Sequence, residues 1–311
     1  MTKPPRALVV GLGIQGRKRL AVAGRAGIGA CDPVNPAAKW KRIEDVPLGS
    51  YDVALVCTPD EAKIELLTYL LSNGKHVLVE KPLFAPSDAA LKRLAAMAKK
   101  KRVTCYTAYN HRFEPHFVRM KETLQSGVLG EPYLARLFYG NGTARDVRNS
   151  AWRDKASGVW PDLGSHLLDT MMFWFGQRLG PIRLLAATRS ENRAPDHVAV
   201  ALDGRPWIEL GMTLLSWRNH FTCDVFAEKG SAHISSLCKW GPSTFTLRDR
   251  KLPSGRPDES AVTLVQPDPT WALEYQHFLG LCRTGAGNIA NDIRLNRLIK
   301  TIAADIERAK P

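Results

Sequence analysis

The sequence predicts an α/β domain on a doubly wound parallel sheet, followed by an α+β domain with a large open, mostly antiparallel sheet. Three observations carry that reading. At 311 residues the chain has the length of two ordinary domains. Over residues 1–125 short apolar runs alternate with helical patterns, the rhythm of strands joined by crossover helices. Over residues 126–311 strand-like runs follow one another with one clear helix among them, which fits antiparallel pairing. The domains are therefore drawn at 1–125 and 126–311, with the last helix able to pack back on the first.

Residues 6–10 form a short apolar strand that leads into glycines, and 14–24 read as a helix. Strands follow at 28–32 and 52–57, the second ending at Thr58-Pro59. Residues 61–72 are helical because Ile64, Leu67, Leu70 and Leu71 fall on one side. Asn73-Gly74 stops that helix, since glycine takes the turn past a helix end. A fourth strand at 76–80 ends at Lys81-Pro82. Ser87 caps a helix running to about residue 101, with Leu91, Leu94, Ala95 and Ala98 inward. A fifth strand covers 103–109. In the second domain strands are read at 133–139, 184–189, 198–202, 207–214, 221–227, 232–235, 244–247 and 262–265. The lone helix covers about 162–175, and helices near 270–283 and 291–310 close the chain.

With 44% hydrophobic and 24% charged residues the chain can bury a core, which excludes disorder or a fibre as its main state. The longest nearly apolar stretch, 167–175, is interrupted by Asp169 and falls far short of the about 20 residues a membrane span needs. The apolar run at 7–14 is short, glycine-rich and followed by its basic cluster, unlike a signal peptide, so a cytoplasmic chain is expected. Six cysteines, at 31, 57, 105, 223, 238 and 282, form no C-x-x-C pair. Free thiols are expected, with the first three in buried strands, and no zinc site. The formal net charge of +14 raises the question of a nucleic-acid partner. The basic residues are spread along the chain except at 99–102, and no nucleic-acid motif accompanies them. The charge reads instead as a surface that attracts anionic cofactors and substrates.

Gly11-Leu12-Gly13-Ile14-Gln15-Gly16 fits G-x-G-x-x-G between a strand and a helix, the context in which that pattern binds a dinucleotide. Gly11 allows the tight turn, Gly13 the approach of the pyrophosphate, and Gly16 the packing of helix on strand. Asp32 ends the second strand 19 residues after Gly13, where a carboxylate receives ribose hydroxyls. That favours NAD, because the carboxylate repels a 2′-phosphate; Lys39, Lys41 and Arg42 downstream leave NADP open. Glu80-Lys81-Pro82 sits at the C-terminal edge of the sheet, where ligands of such sheets bind, and Lys81 is placed to move a proton or hold a hydroxyl. Asp162, His166 and Asp169 recur at i, i+4 and i+7 and so share a helix face. A histidine one turn from a carboxylate can serve as an acid–base group, or be a buried histidine behind a helix cap. No H-E-x-x-H or second histidine at ligand spacing accompanies it, so no metal is expected.

Three pieces in this order resemble the glucose–fructose oxidoreductase / inositol dehydrogenase / MocA (Gfo/Idh/MocA) family. They are the glycine motif, Gly74-Lys75-His76-Val77-Leu78-Val79-Glu80-Lys81-Pro82-Leu83, and Asp162-Leu163-Gly164-Ser165-His166-Leu167-Leu168-Asp169. Tyr109-Asn110-His111-Arg112-Phe113 and Trp152-Arg153 look like two further family segments. The resemblance implies a Rossmann dinucleotide-binding domain, an α+β domain whose sheet builds a homodimer or homotetramer, and hydride transfer between a nicotinamide and a sugar, nucleotide-sugar or cyclitol carbinol. It implies Lys81, Asp162 and His166 as the catalytic group, and leaves open which of Lys81 and His166 is the immediate base. It implies Thr58, Pro59, Glu80 and Asn110 along the cofactor, and Arg112 and Arg153 near the substrate. The chain departs from the family at Lys63, where a histidine is common, and at Trp160, bulky where glycine is usual and expected to alter the pocket entrance.

The expected activity is that of an NAD-dependent sugar or nucleotide-sugar dehydrogenase. Cyclitol dehydrogenases and NAD-dependent glycoside-cleaving enzymes share the fold. The rival from another class is a dinucleotide-sensing regulator without chemistry, against which the presence of Lys81, Asp162 and His166 counts.

Overall fold

The computed structural model describes residues 4–150, 153–176 and 179–309. The chain divides into two compact units. One takes residues up to Asn110 together with Pro269–Asn296, and the other takes His111–Asp268 together with the chain from Arg297. The change of architecture therefore comes at residue 110, ahead of the position near 125 suggested by the sequence rhythm. The early part of the second unit is a helix that the rhythm did not separate.

In the first unit β1 (Ala7–Val10), α1 (Ile14–Ala23), β2 (Gly27–Cys31), β3 (Val53–Val56), α2 (Asp60–Ser72), β4 (His76–Glu80), α3 (Asp88–Lys101) and β5 (Cys105–Ala108) alternate as expected. The strands form a parallel sheet in the order β2-β1-β3-β4-β5. Both faces are covered, so the strands are apolar throughout rather than alternating. Leu8, Val10, Ala54, Val56, Val77 and Val79 enter the core on one side; Ala7, Val9, Val53, Leu55 and Leu78 enter the core on the other. Ser87 caps α3, its Oγ accepting from the Ala90 amide at 3.4 Å. The strand order reverses between β1 and β3, the position beside which such sheets hold their ligands.

The second unit begins with α4 (Pro115–Gln125), followed by β6 (Pro132–Gly140), α5 (Ala144–Arg148) and α6 (Ser165–Phe175). Seven strands then follow: β7 (Ile182–Thr188), β8 (His197–Leu202), β9 (Trp207–Thr213), β10 (His220–Ala227), β11 (Gly230–Ser235), β12 (Ser243–Asp249) and β13 (Glu259–Leu264). They pair in the order β13-β12-β11-β10-β6-β9-β8-β7, antiparallel except for β6 with β9. One face is buried and one is not, so burial alternates along strands such as β10. Phe117 of α4 fills the buried side against Trp174 of α6 and Phe221 of β10, with ring centres 5.2 and 5.1 Å away.

The two closing helices are α7 (Thr270–Leu281) and α8 (Ile289–Arg308). In the first unit, Tyr275 and Phe278 of α7 join one core layer and Ile289 of α8 the other. Asn288 satisfies the edge strand by accepting from the Thr107 amide at 2.7 Å and donating to the Thr107 carbonyl at 2.8 Å. It occupies bonding positions that another strand would take. From Arg297 onward α8 belongs to the second unit.

Arg19 of α1 is buried between Glu80 and Glu274, bonding each carboxylate at 2.6 Å, and its guanidinium lies 4.3 Å from the Trp271 ring centre. Burial opposes its charge, but the two carboxylates outweigh that and hold its pKa above the ordinary value. Removing one partner of such a group strands charge in the interior. Arg19→Met is expected to cost about 3–5 kcal/mol of unfolding free energy, read by urea denaturation; a loss below about 1 kcal/mol would contradict a structural role.

Candidate active site

The glycine turn is built as its spacing requires. Gly11 has φ +92°, and a Cβ there would stand 2.7 Å from the Cys57 carbonyl oxygen. A Cβ on Gly16 would collide with the Gly11 carbonyl oxygen. Gly13 is different: it has ordinary negative φ, and a Cβ there would meet nothing within 4 Å. It stands at the N-cap of α1, with no side chain capping the first-turn N–H groups. The open space and the uncapped helix end fit a dinucleotide's pyrophosphate. Ile14 and Gln15, at the start of the helix, are exposed.

Asp32, the residue after β2, faces the same turn. Its Oδ2 accepts from the Leu12 amide at 2.7 Å, and its Oδ1 from the Val34 and Asn35 amides at 2.9 and 2.8 Å. Burial works against its charge, but the Asn35, Leu12 and Val34 N–H groups, helped by Lys41, hold its carboxyl below the ordinary range. The carboxylate therefore stays negative while bracing the turn. Thr58 follows β3 with its Oγ1 shielded from water and without a hydrogen-bond partner among the described residues. Pro59 is the N-cap of α2.

Lys81 follows β4 and is half-buried. The chain on either side of it is clamped. Lys63 of α2 is buried, and its Nζ donates to the Glu80 carbonyl at 2.8 Å, the Pro82 carbonyl at 2.7 Å and Asp60 Oδ1 at 2.7 Å. An ammonium has three N–H groups, and all three are accounted for. The departure at Lys63 thus places a lysine against the Glu80-Lys81-Pro82 segment. Glu80, expected along the cofactor, is ion-paired with Arg19. Asn110 donates to Thr270 Oγ1 at 2.9 Å.

In the second unit, a wide π-helical turn, Trp160–Gly164, precedes α6. Such turns recur at functional sites because they re-aim side chains. Here Asp162, on that turn, is half-exposed, with Arg153 Nη2 at 3.9 Å from its Oδ2. His166 is buried at the start of α6. Asp169, three residues after His166 in α6, is buried and held by the Arg112 fork, Nε to Oδ2 at 2.8 Å and Nη2 to Oδ1 at 2.6 Å. Burial pushes the Asp169 carboxyl up, and Arg112 offsets this only in part. Arg112, expected near the substrate, is thus tied to the helix that carries His166. Trp160 does not shape an entrance: it is fully buried, donates from Nε1 to the Ile299 carbonyl at 3.0 Å, and leaves no room for a side chain at Gly164. Trp152 lies outside the described residues.

Other residues gather around His166 without a sequence signal. The His111 ring stacks on it, with centres 4.0 Å apart and planes 18° apart. Lys239 Nζ lies 3.4 Å from His111 Nε2 and 3.4 Å from Tyr139 Oη, and 4.7 Å from the Trp240 ring centre. Burial pulls the Lys239 pKa down, against Asp268, Glu114, Cys238 and Asp162. Glu114 accepts from the Cys238 amide at 3.0 Å and from its thiol at 2.9 Å, and burial raises its pKa. Residues 111, 139 and 239 share no period. His111 falls in a segment that resembles the family, but Lys239 follows a strand with nothing to mark it.

Comparison with known proteins decides the family. The model described as "Oxidoreductase family, NAD-binding Rossmann fold" matches residues 5–109, and that of the GFO/IDH/MocA C-terminal domain matches 117–233. The chain belongs to the Gfo/Idh/MocA oxidoreductase family. This Gfo/Idh/MocA chain is 27% identical over 155 residues to scyllo-inositol 2-dehydrogenase (NADP(+)) of Bacillus subtilis, covering 49% of this chain and 42% of the relative. It is 25% identical over 262 residues to trans-1,2-dihydrobenzene-1,2-diol dehydrogenase of Oryctolagus cuniculus, covering 80% and 79%. In other matches it likewise spans about two fifths of the relative's length, 38% for an oxidoreductase of Schizosaccharomyces pombe. The fold matches levoglucosan dehydrogenase, solved with NADH, at a TM-score of 0.80 and 17% identity over 97% of both chains. The first unit of this family member is an NAD-binding Rossmann domain.

Gly13 separates binding from folding. Gly13→Ala is expected to leave the unfolding midpoint unchanged, because its Cβ meets no atom, while weakening NADH binding at least about tenfold, read by nicotinamide fluorescence. Unchanged NADH affinity would contradict the placement of the pyrophosphate.

Proposed function

We propose that the protein is an NAD(H)-dependent dehydrogenase acting on a CH–OH group of a sugar, nucleotide sugar or cyclitol. The observation that carries the reading is the clamp around Lys81. A buried lysine holds both flanking carbonyls, and a buried arginine holds Glu80. The position of one lysine is thus fixed from two sides, beside the edge where Gly13 and Thr58 leave room for a cofactor. The inositol dehydrogenase relative supports a polyhydroxylated substrate.

In this reading Gly11, Gly13 and Gly16 admit the pyrophosphate, and Asp32 disfavours a 2′-phosphate by its charge. A dinucleotide held there would supply the hydride acceptor or donor through its nicotinamide. Lys81 donates a hydrogen bond to the reacting oxygen. His166 accepts the hydroxyl proton in oxidation and returns it in reduction, with Asp162 orienting the site one turn away. Arg153, paired loosely to Asp162 at 3.9 Å, lies beside the substrate. Neither Arg112 nor Glu80 is given a direct role, since each is matched by a partner within its own unit.

The test compares the unaltered protein with His166→Ala and Lys81→Ala, using NAD and NADP against sugars, cyclitols and nucleotide sugars. His166→Ala is expected to bind NADH as the unaltered protein does and to lose about 10²–10⁴ in turnover. Lys81→Ala is expected to lose activity on the same substrate. Tight NADH binding with no turnover by the unaltered protein across the panel would favour a dinucleotide-binding regulator.

A further inference from the structure

The cluster behind His166 contains a cation that the proposed chemistry does not use. Lys239 lies on the short turn Cys238–Trp240, after β11. No carboxylate among the described residues comes within ion-pair distance of its Nζ; it meets His111 Nε2, Tyr139 Oη and the Tyr139 and Trp240 rings. An ammonium can only donate, so a charged Lys239 meets His111 Nε2 as an acceptor, a role open to a neutral imidazole and closed to an imidazolium. The lysine thereby selects the neutral form of His111. The His166 ring is stacked on His111, with ring centres 4.0 Å apart.

We propose that Lys239 is a positioning residue of the acid–base centre: acting through His111, its ammonium keeps the stacked imidazoles neutral, so that His166 is ready to accept a proton. Two imidazoliums at this separation repel each other, and a third cation beside them raises the cost of charging either ring. The surrounding carboxylates have different tasks. Glu114, at the start of α4, is bonded to Cys238. Asp268, before α7, and Asp162, on the π turn, act on Lys239 and favour its charge. Asp169, on α6 itself, is held by Arg112. Arg153 stands beyond Asp162. Tyr139, on β6, faces both Lys239 and the rings. Removing Lys239 takes away a positive charge and leaves those carboxylates, so both rings should protonate more readily.

The inference draws its functional meaning from His166 as the proton acceptor, but its test does not need turnover. Protein with ¹³C-labelled histidine is titrated by NMR, with the two rings assigned from His111→Gln and His166→Gln. Lys239→Met is expected to raise the midpoints of both rings by about one pH unit. Lys239→Arg, which keeps the charge, should leave them where they are in the unaltered protein. Unmoved midpoints in Lys239→Met, or equal shifts in Lys239→Arg and Lys239→Met, would overturn the proposal. The unaltered protein provides a check that survives a misfolded variant: the ¹³Cε resonance of Lys239 must show an inflection at the imidazole midpoints, and a featureless titration would overturn the proposal as well. If turnover survives His166→Ala while the Lys239 coupling is measured, the catalytic reading fails and the electrostatic one stands.

Discussion

A full positive charge inside the first unit governs its architecture. Arg19 sits on the helix that opens at the glycine turn, and its guanidinium must be met by carboxylates, because burial removes the water that would otherwise solvate it. Glu80 and Glu274 meet it. One side chain thus fixes α1 against the end of β4 and against α7. Such a network is not chosen for stability, since a well-packed apolar trio can do as well. It is positional: wherever α1 goes, the residue preceding Lys81 goes with it. Lys63 repeats the device on the backbone, gripping the carbonyls on both sides of Lys81.

The second unit uses the same logic around His166. Asp169 lies one turn further along α6, and Arg112 binds it with two parallel hydrogen bonds, a geometry that sets orientation as well as distance. Trp160 locks the preceding turn to α8 through its indole N–H and presses on Gly164. A histidine between two such anchors has little freedom to turn. Among the described residues, His111 and Tyr139 face its ring and Lys239 stands behind them, groups that donate, accept or carry charge according to how protons are shared among them.

The architecture was legible because each strand of the parallel sheet is a short apolar run between breakers, and because Gly11 and Gly16 have steric duties that no other residue can perform. Ser87 capped its helix as its hydroxyl suggested. Other features were hidden. Helix α4 followed the fifth strand closely enough to pass as part of the first domain, although its Phe117 belongs to the second core. The spacing of Asp162, His166 and Asp169 implied one helix face; that Asp162 sits on a π turn and that Arg112 holds Asp169 are features a helical wheel does not contain. Glu80 and Arg112 carry the charges a ligand would want, and sequence cannot show that Arg19 and Asp169 already meet them. Lys239 could not be found by spacing, because its partners His111 and Tyr139 come from two other elements far away in sequence.

The central claim is that this chain moves a hydride between a carbinol carbon and the nicotinamide of a dinucleotide whose pyrophosphate rests on the Gly11–Gly16 turn. The measurement that tests it most directly is isotope transfer: incubation with NAD and a panel of sugars and cyclitols deuterated at their carbinol carbons, followed by mass spectrometry of the nicotinamide. The account predicts reduced cofactor carrying one deuterium, formed with the matching keto product. Reduced cofactor without the label, or bound dinucleotide that is never reduced by any member of the panel, would contradict it.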